Sequence, residues 1–158
     1  MDKREYRELS EQAAGGSTKA FAQLYGTLYR EMYYTAFYSL ANDSDAVEVI
    51  ISAARDGFSA IGKLRSTEAF RAFMMKTLCA RIRAKFKEYS VTPPEVPESG
   101  EGYDIKHEFG LLEDNDRLIA SMYIGGKFQP DEISAYSGFS PAVVKKSIER
   151  VLSGFELD

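Results

Sequence analysis

One cysteine, one histidine and no tryptophan in 158 residues leave several chemistries without their atoms. A lone thiol makes no internal disulfide and no cysteine-rich zinc site, and a lone imidazole makes no multi-histidine cage, so no metal is expected and a reducing, cytoplasmic setting is. No apolar run approaches the ~20 residues of a membrane span, and Met1-Asp2-Lys3-Arg4-Glu5-Tyr6-Arg7-Glu8 is followed by no apolar signal core. Glycine-rich phosphate loops and glycine-flanked nucleophiles are also missing. His107 stands without a cysteine, serine or acid to activate it. No catalytic residue and no cofactor is expected, and the chain reads as something other than an enzyme.

The chain is 44% hydrophobic, 28% charged and 13% aromatic, enough to bury a core in one or two small domains. Its net charge of −4 argues mildly against a general polyanion binder. The charge is uneven, however. Residues 68–89 hold six basic and two acidic side chains, whereas residues 90–108 hold one and five and residues 109–158 hold five and eight.

Helical spacing dominates the pattern. From Phe21 through Leu24, Tyr25, Leu28, Tyr29, Met32, Tyr33, Phe37 and Leu40 the apolar residues recur at three and four, which predicts one helix over residues 20–40 behind a cap at Ser17 or Thr18. The aromatic stripe Tyr25, Tyr29, Tyr33 and Phe37 is expected in the core. A second helix follows Asn42-Asp43-Ser44, carries Ala46, Val47, Ile50, Ala53, Ala54, Phe58 and Ile61, and stops at Gly62. A third begins near Ser66 with Phe70, Phe73, Met74, Leu78, Ile82 and Phe86 on one side, Cys79 expected as a small buried thiol, and Arg71, Lys76, Arg81, Arg83, Lys85 and Lys87 in the other directions. Residues 90–108 contain Pro93, Pro94, Pro97, Gly100 and Gly102 and read as a flexible acidic linker of roughly 24 Å end to end, leaving the two halves free to move separately. The remaining residues form further helices, of which Pro130–Tyr136 and the one capped by Ser140 flank a Ser137-Gly138-Phe139 turn, the arrangement of a helix-turn-helix. The fold class is therefore all-α, with an N-terminal helical domain over residues 1–89, a linker over 90–108 and a helix-turn-helix domain over 109–158.

This order of features resembles the two-domain extracytoplasmic-function sigma factors of bacterial RNA polymerase, from about Ala20 to Phe155. Ala20-Phe21-Ala22-Gln23-Leu24-Tyr25 looks like the family's opening helix and Asp45-Ala46-Val47-Glu48-Val49-Ile50 like the start of its second. Phe70-Arg71-Ala72-Phe73-Met74-Met75-Lys76 is similar to the entry of its third. Asp131-Glu132-Ile133-Ser134 and Ser140-Pro141-Ala142-Val143-Val144-Lys145 match its helix-turn-helix positions. Where the family carries a glutamine-glutamate pair this chain has Ile51-Ser52; Ala80 and Ala84 replace an asparagine and an aspartate, and Phe73 a tryptophan.

The resemblance implies a transcription initiation protein whose partners are core RNA polymerase, promoter DNA and an anti-sigma or other regulatory protein. It implies that Asp45, Glu48, Ile51 and Ser52 face the polymerase. Arg71, Lys76, Arg81, Arg83, Lys85 and Lys87 would grip the melted −10 strand, with Phe73 or Phe86 as a stacking surface. Ser140, Lys145, Lys146 and Arg150 would meet upstream duplex. The departures at Ile51, Ser52, Ala80 and Ala84 favour a second reading, a degenerate sigma-like module that has lost promoter binding and acts on polymerase, a sigma factor or a regulator by protein contact. A conventional helix-turn-helix regulator is a third, weakened by the lack of an evident dimerisation segment.

Overall fold

The computed structural model describes residues 1–92 and 108–155. Most of the expected linker, and His107 with it, lies outside the described residues. The fold is all-α, with no strand among the described residues. Its helices are α1 Lys3–Ala14, α2 Thr18–Gly26, α3 Tyr29–Leu40, α4 Asp43–Ala60, α5 Thr67–Tyr89, α6 Asp114–Ala120, α7 Pro130–Ser137 and α8 Pro141–Phe155. A 3₁₀ turn, Ile61–Lys63, follows α4, and α6 runs on into a π-helical turn, Ser121–Gly125.

Short polar side chains start most of these helices by accepting an otherwise orphaned backbone N–H. Ser17 receives Ala20 N at 3.1 Å, Asn42 receives Asp45 N at 2.9 Å, Ser66 receives Ala69 N at 3.0 Å and Ser140 receives Val143 N at 3.2 Å. Gly138 closes α7 at φ 84°, a left-handed conformation that a side chain disfavours. The single helix expected over residues 20–40 is in fact two. Gly26 is a weak helix former, and the Thr27 hydroxyl donates to the Leu24 carbonyl at 2.6 Å, so the chain turns before α3 begins. The sequence reading had no α1, which packs Tyr6 and Ala13 inward and whose Tyr6 hydroxyl donates to the Leu64 carbonyl at 2.6 Å.

Helix α4 lies between α3 and α5, as its broad apolar face suggests. One buried cluster then continues across the chain, from Met32, Ala36 and Leu40 of α3 and Met74, Leu78 and Ile82 of α5 to Leu118, Ile119, Met122, Phe128, Ile133 and Val144. The expectation of separately moving halves rests on a linker with little to bury; the contact here is made by the helices themselves. Its tightest point is the crossing of α3 over the π turn. A Cβ on Gly125 would lie 2.6 Å from the Tyr38 ring and 3.0 Å from the Tyr34 carbonyl, and one on Gly126 would lie 2.6 Å from Thr35 Oγ1. Arg117 secures the chain that enters α6, donating to the carbonyls of Phe109 at 3.1 Å and Leu112 at 2.8 Å while its guanidinium sits 5.4 Å from the centre of the Phe86 ring.

Candidate nucleic-acid and polymerase interface

Seven buried residues, Phe70, Met74, Met75, Leu78, Cys79, Ile82 and Phe86, leave α5 only a narrow outer strip. The six expected DNA-contacting cations of this helix fall into three groups around it. Lys76 and Lys87 are exposed and pair with no other described residue. Arg81 and Lys85 are neutralised within the N-terminal half: Arg81 meets Asp56 at 2.6 Å, and Lys85 meets Glu48 at 2.9 Å, Glu88 at 3.2 Å and Asp45 at 3.8 Å. The hydrogen bond to Glu48 leads in holding the Lys85 ammonium above its ordinary range. Arg71 and Arg83 face the C-terminal half. Arg71 pairs with Glu132 at 3.5 Å and lies 4.9 Å from the centre of the Phe128 ring, while Arg83 lies 4.5 Å from the centre of the Phe139 ring. Cation–π contacts of this kind are worth about 0.5–2 kcal/mol depending on desolvation. Of the two rings expected as stacking surfaces, Phe86 is buried and Phe73 half-buried.

The expected polymerase contacts lie against the same helix. Glu48 and Ser52 line one side of a shallow groove of about 190 Å³ whose other side is Arg81, Ala84, Lys85 and Glu88. Asp45 is taken up by the Tyr89 hydroxyl and Lys85. Burial and that hydrogen bond push the Tyr89 phenol well above its usual range. Ile51 projects into solvent, 44% exposed.

In the C-terminal half, α7, the Gly138 turn and α8 form the expected helix-turn-helix. Ala142, Val143, Lys145 and Lys146 are exposed on α8, and neither lysine pairs with another described residue. Arg150 is held differently: Asp116 takes both guanidinium N–H groups at 2.8 Å and the Ser147 hydroxyl at 2.7 Å. The Arg150 hydrogen bonds hold the Asp116 carboxyl below the usual carboxylate range. Ser140 is used up in capping α8.

The sequence reading missed the exposure of one aromatic residue, Tyr29. Of the stripe expected in the core, Tyr25, Tyr33 and Phe37 are partly buried against it and Tyr29 turns outward; with the buried Phe21 they form a ladder whose ring centres follow one another at 6.2, 5.5, 6.1 and 5.6 Å. Tyr29 is 42% exposed. The ladder touches both ends of α4: Phe21 meets Phe58 at 5.2 Å, and the Tyr33 hydroxyl donates to Asp43 Oδ1 at 2.7 Å. That hydrogen bond, ahead of burial, pushes the Tyr33 phenol up to about 12. Exposed Val47 and Ile51 lie on the stretch of α4 between these contacts. Tyrosine rather than phenylalanine at 25, 29 and 33 was the available signal, because a phenol is accommodated where one end stays wet.

Cys79 is buried, its Sγ 3.8 Å from Met122 Sδ across the meeting of the two halves. Burial pushes the thiol up to about 12 and keeps it protonated. Among the described residues no cluster of three or more histidine, cysteine, aspartate or glutamate side chains could hold a metal ion, and no helix is long and apolar enough to cross a membrane.

Neither a family model nor a curated protein matches the chain. A solved structure does: CnrH in complex with the cytosolic domain of CnrY, at 19% identity over 96% of this chain and 95% of that one, with a TM-score of 0.72. CnrH is an extracytoplasmic-function sigma factor. The fold is sigma-like. At this identity the likeness is one of architecture, and it extends over nearly the whole length of both chains.

Proposed function

We propose that this chain is a sigma-like transcription regulator that docks on core RNA polymerase through the outer face of α4 and reaches promoter DNA through α5 and α8. The observation that carries the reading is the sigma-like arrangement of helices over 96% of the chain, with the helix-turn-helix in its expected place. On α4 the polymerase would meet Glu48, Ser52 and the exposed Ile51, and the contact would lean on apolar area where an amide and a carboxylate are replaced. On α5 the cations free for phosphate are Lys76 and Lys87, and on α8 Lys145 and Lys146. Four such contacts give weak, strongly tether-dependent DNA binding, with docking on polymerase supplying the effective concentration. The neighbouring CnrH is held by another protein, CnrY; a regulatory protein partner for this chain follows as part of the same proposal.

A second reading, regulation by protein contact alone, draws support from Arg81 and Lys85, whose charges are already answered by Asp56, Glu48 and Glu88. Transcription from promoter fragments by core polymerase with and without the purified chain separates the two. Chain-dependent initiation supports the first. Association with polymerase that alters another factor's initiation, without any initiation of its own, supports the second.

A further inference from the structure

Arg71 and Arg83 lie about three turns apart on α5, and among the described residues neither pairs with an acid or ring of its own half. Arg71 is taken by Glu132, on α7, and by Phe128, which precedes α7; Arg83 is taken by Phe139, in the turn that follows it. The three partners thus come from one end to the other of a single short helix and its flanks. Glu132 also accepts the Gln129 N–H at 2.9 Å, and Phe128 meets Tyr136 edge-on at 5.6 Å, so these two partners are held by their own half as well as by α5. Between the two arginines Cys79 touches Met122, in the π turn that leads into Phe128 and α7.

From this geometry we propose that α7 and its flanks form a latch over the basic face of α5: closed, it withholds Arg71 and Arg83 from nucleic acid, and single-stranded nucleic acid and the C-terminal half compete for them. The proposal rests on the reading of α5 as a nucleic-acid helix and adds how that helix is regulated. Closed, α5 offers phosphate two cations, Lys76 and Lys87; open, it offers four. Arg81 and Lys85 are unaffected, because their acids are on their own half. At a slope of about 0.7 per phosphate on a single strand, the salt dependence of binding steepens from about −1.4 to about −2.8 on opening. The coupling is reciprocal: whatever opens the latch strengthens nucleic-acid binding, and nucleic acid opens the latch.

The lone cysteine reads an opening in which the π turn lifts with α7, because Met122 covers it. Its labelling by a thiol reagent in the native full-length chain proceeds through the open state, so the rate follows the opening equilibrium. The test compares the natural chain with a Glu132→Gln, Phe139→Leu double variant. Glutamine keeps the cap on Gln129 and loses the ion pair, and leucine keeps apolar bulk and loses the ring. A mixed-sequence oligodeoxynucleotide is the probe, titrated over a salt series. The latch predicts that the variant labels about tenfold faster, that it binds the oligonucleotide more tightly with the steeper slope, and that the oligonucleotide accelerates labelling of the natural chain. Oligonucleotide binding that leaves labelling of the natural chain unchanged, with a variant that neither labels faster nor binds better, overturns the latch while leaving α5 as a nucleic-acid helix. Faster labelling of the variant with no binding by either protein overturns the competition together with the nucleic-acid reading of α5.

Discussion

Gly126 tests the packing between the halves at its narrowest point. Its backbone is ordinary right-handed helix, φ −81° and ψ −15°, so only space demands glycine there. A Cβ would lie 2.6 Å from Thr35 Oγ1 and 2.7 Å from two carbons of the Phe128 ring. Thr35 is fixed on α3, and Phe128 is wedged between Tyr136 and the Arg71 guanidinium, so the ring yields only by dropping the arginine. Overpacking of this kind costs about 1–3 kcal/mol, and alanine regains about 0.4–1 kcal/mol by stiffening the unfolded chain. Gly126→Ala should therefore destabilise by about 1–2 kcal/mol, which in a chain of this size lowers the melting temperature by about 2–8 °C. Gly26→Ala, at the end of α2 with no atom within 4 Å of the new carbon, is the matched control and should melt at or slightly above the natural chain. Calorimetry decides it. A Gly126→Ala protein as stable as the control would show that the crossing of α3 and the π turn is looser than described.

Thr35 Oγ1 is buried without a hydrogen-bond partner among the described residues, and such a hydroxyl costs about 1–3 kcal/mol; Thr35→Val should raise the melting temperature by about 2–4 °C, and a fall would mean the hydroxyl is satisfied. Asp116 titrates lower in the folded chain than in the unfolded one, so its stabilisation is present above the unfolded value near 3.9 and disappears as the pH falls through the lower folded value. Asp116→Asn should accordingly cost about 1 kcal/mol at neutral pH, limited by the solvent around Arg150, and progressively less as the pH falls through the folded value; a urea-unfolding series across pH that shows a constant difference contradicts the pairing.

Local chemistry made much of the fold legible. Ser17, Asn42, Ser66 and Ser140 announce helix starts because short side-chain acceptors at those positions have one strong use, and Gly138 announces the turn of the helix-turn-helix. What remained hidden depends on distant partners. Arg81 and Lys85 read as free cations until Asp56 and Glu48, about 25 and 37 residues away in the chain, are placed beside them. Tyr29 reads as core because helical spacing gives a stripe its direction only once a neighbour covers it. Gly125-Gly126 reads as a break, although its use is to let another helix approach.

The central claim is that the outer face of α4 docks on core RNA polymerase, and the most direct measurement is a binding titration of the full-length chain against purified bacterial core enzyme. The account predicts a saturable one-to-one complex that is weakened at least tenfold by Ile51→Arg, a substitution that leaves the fold intact because the side chain already faces solvent. Absence of a complex, or a complex indifferent to Ile51→Arg, would contradict it.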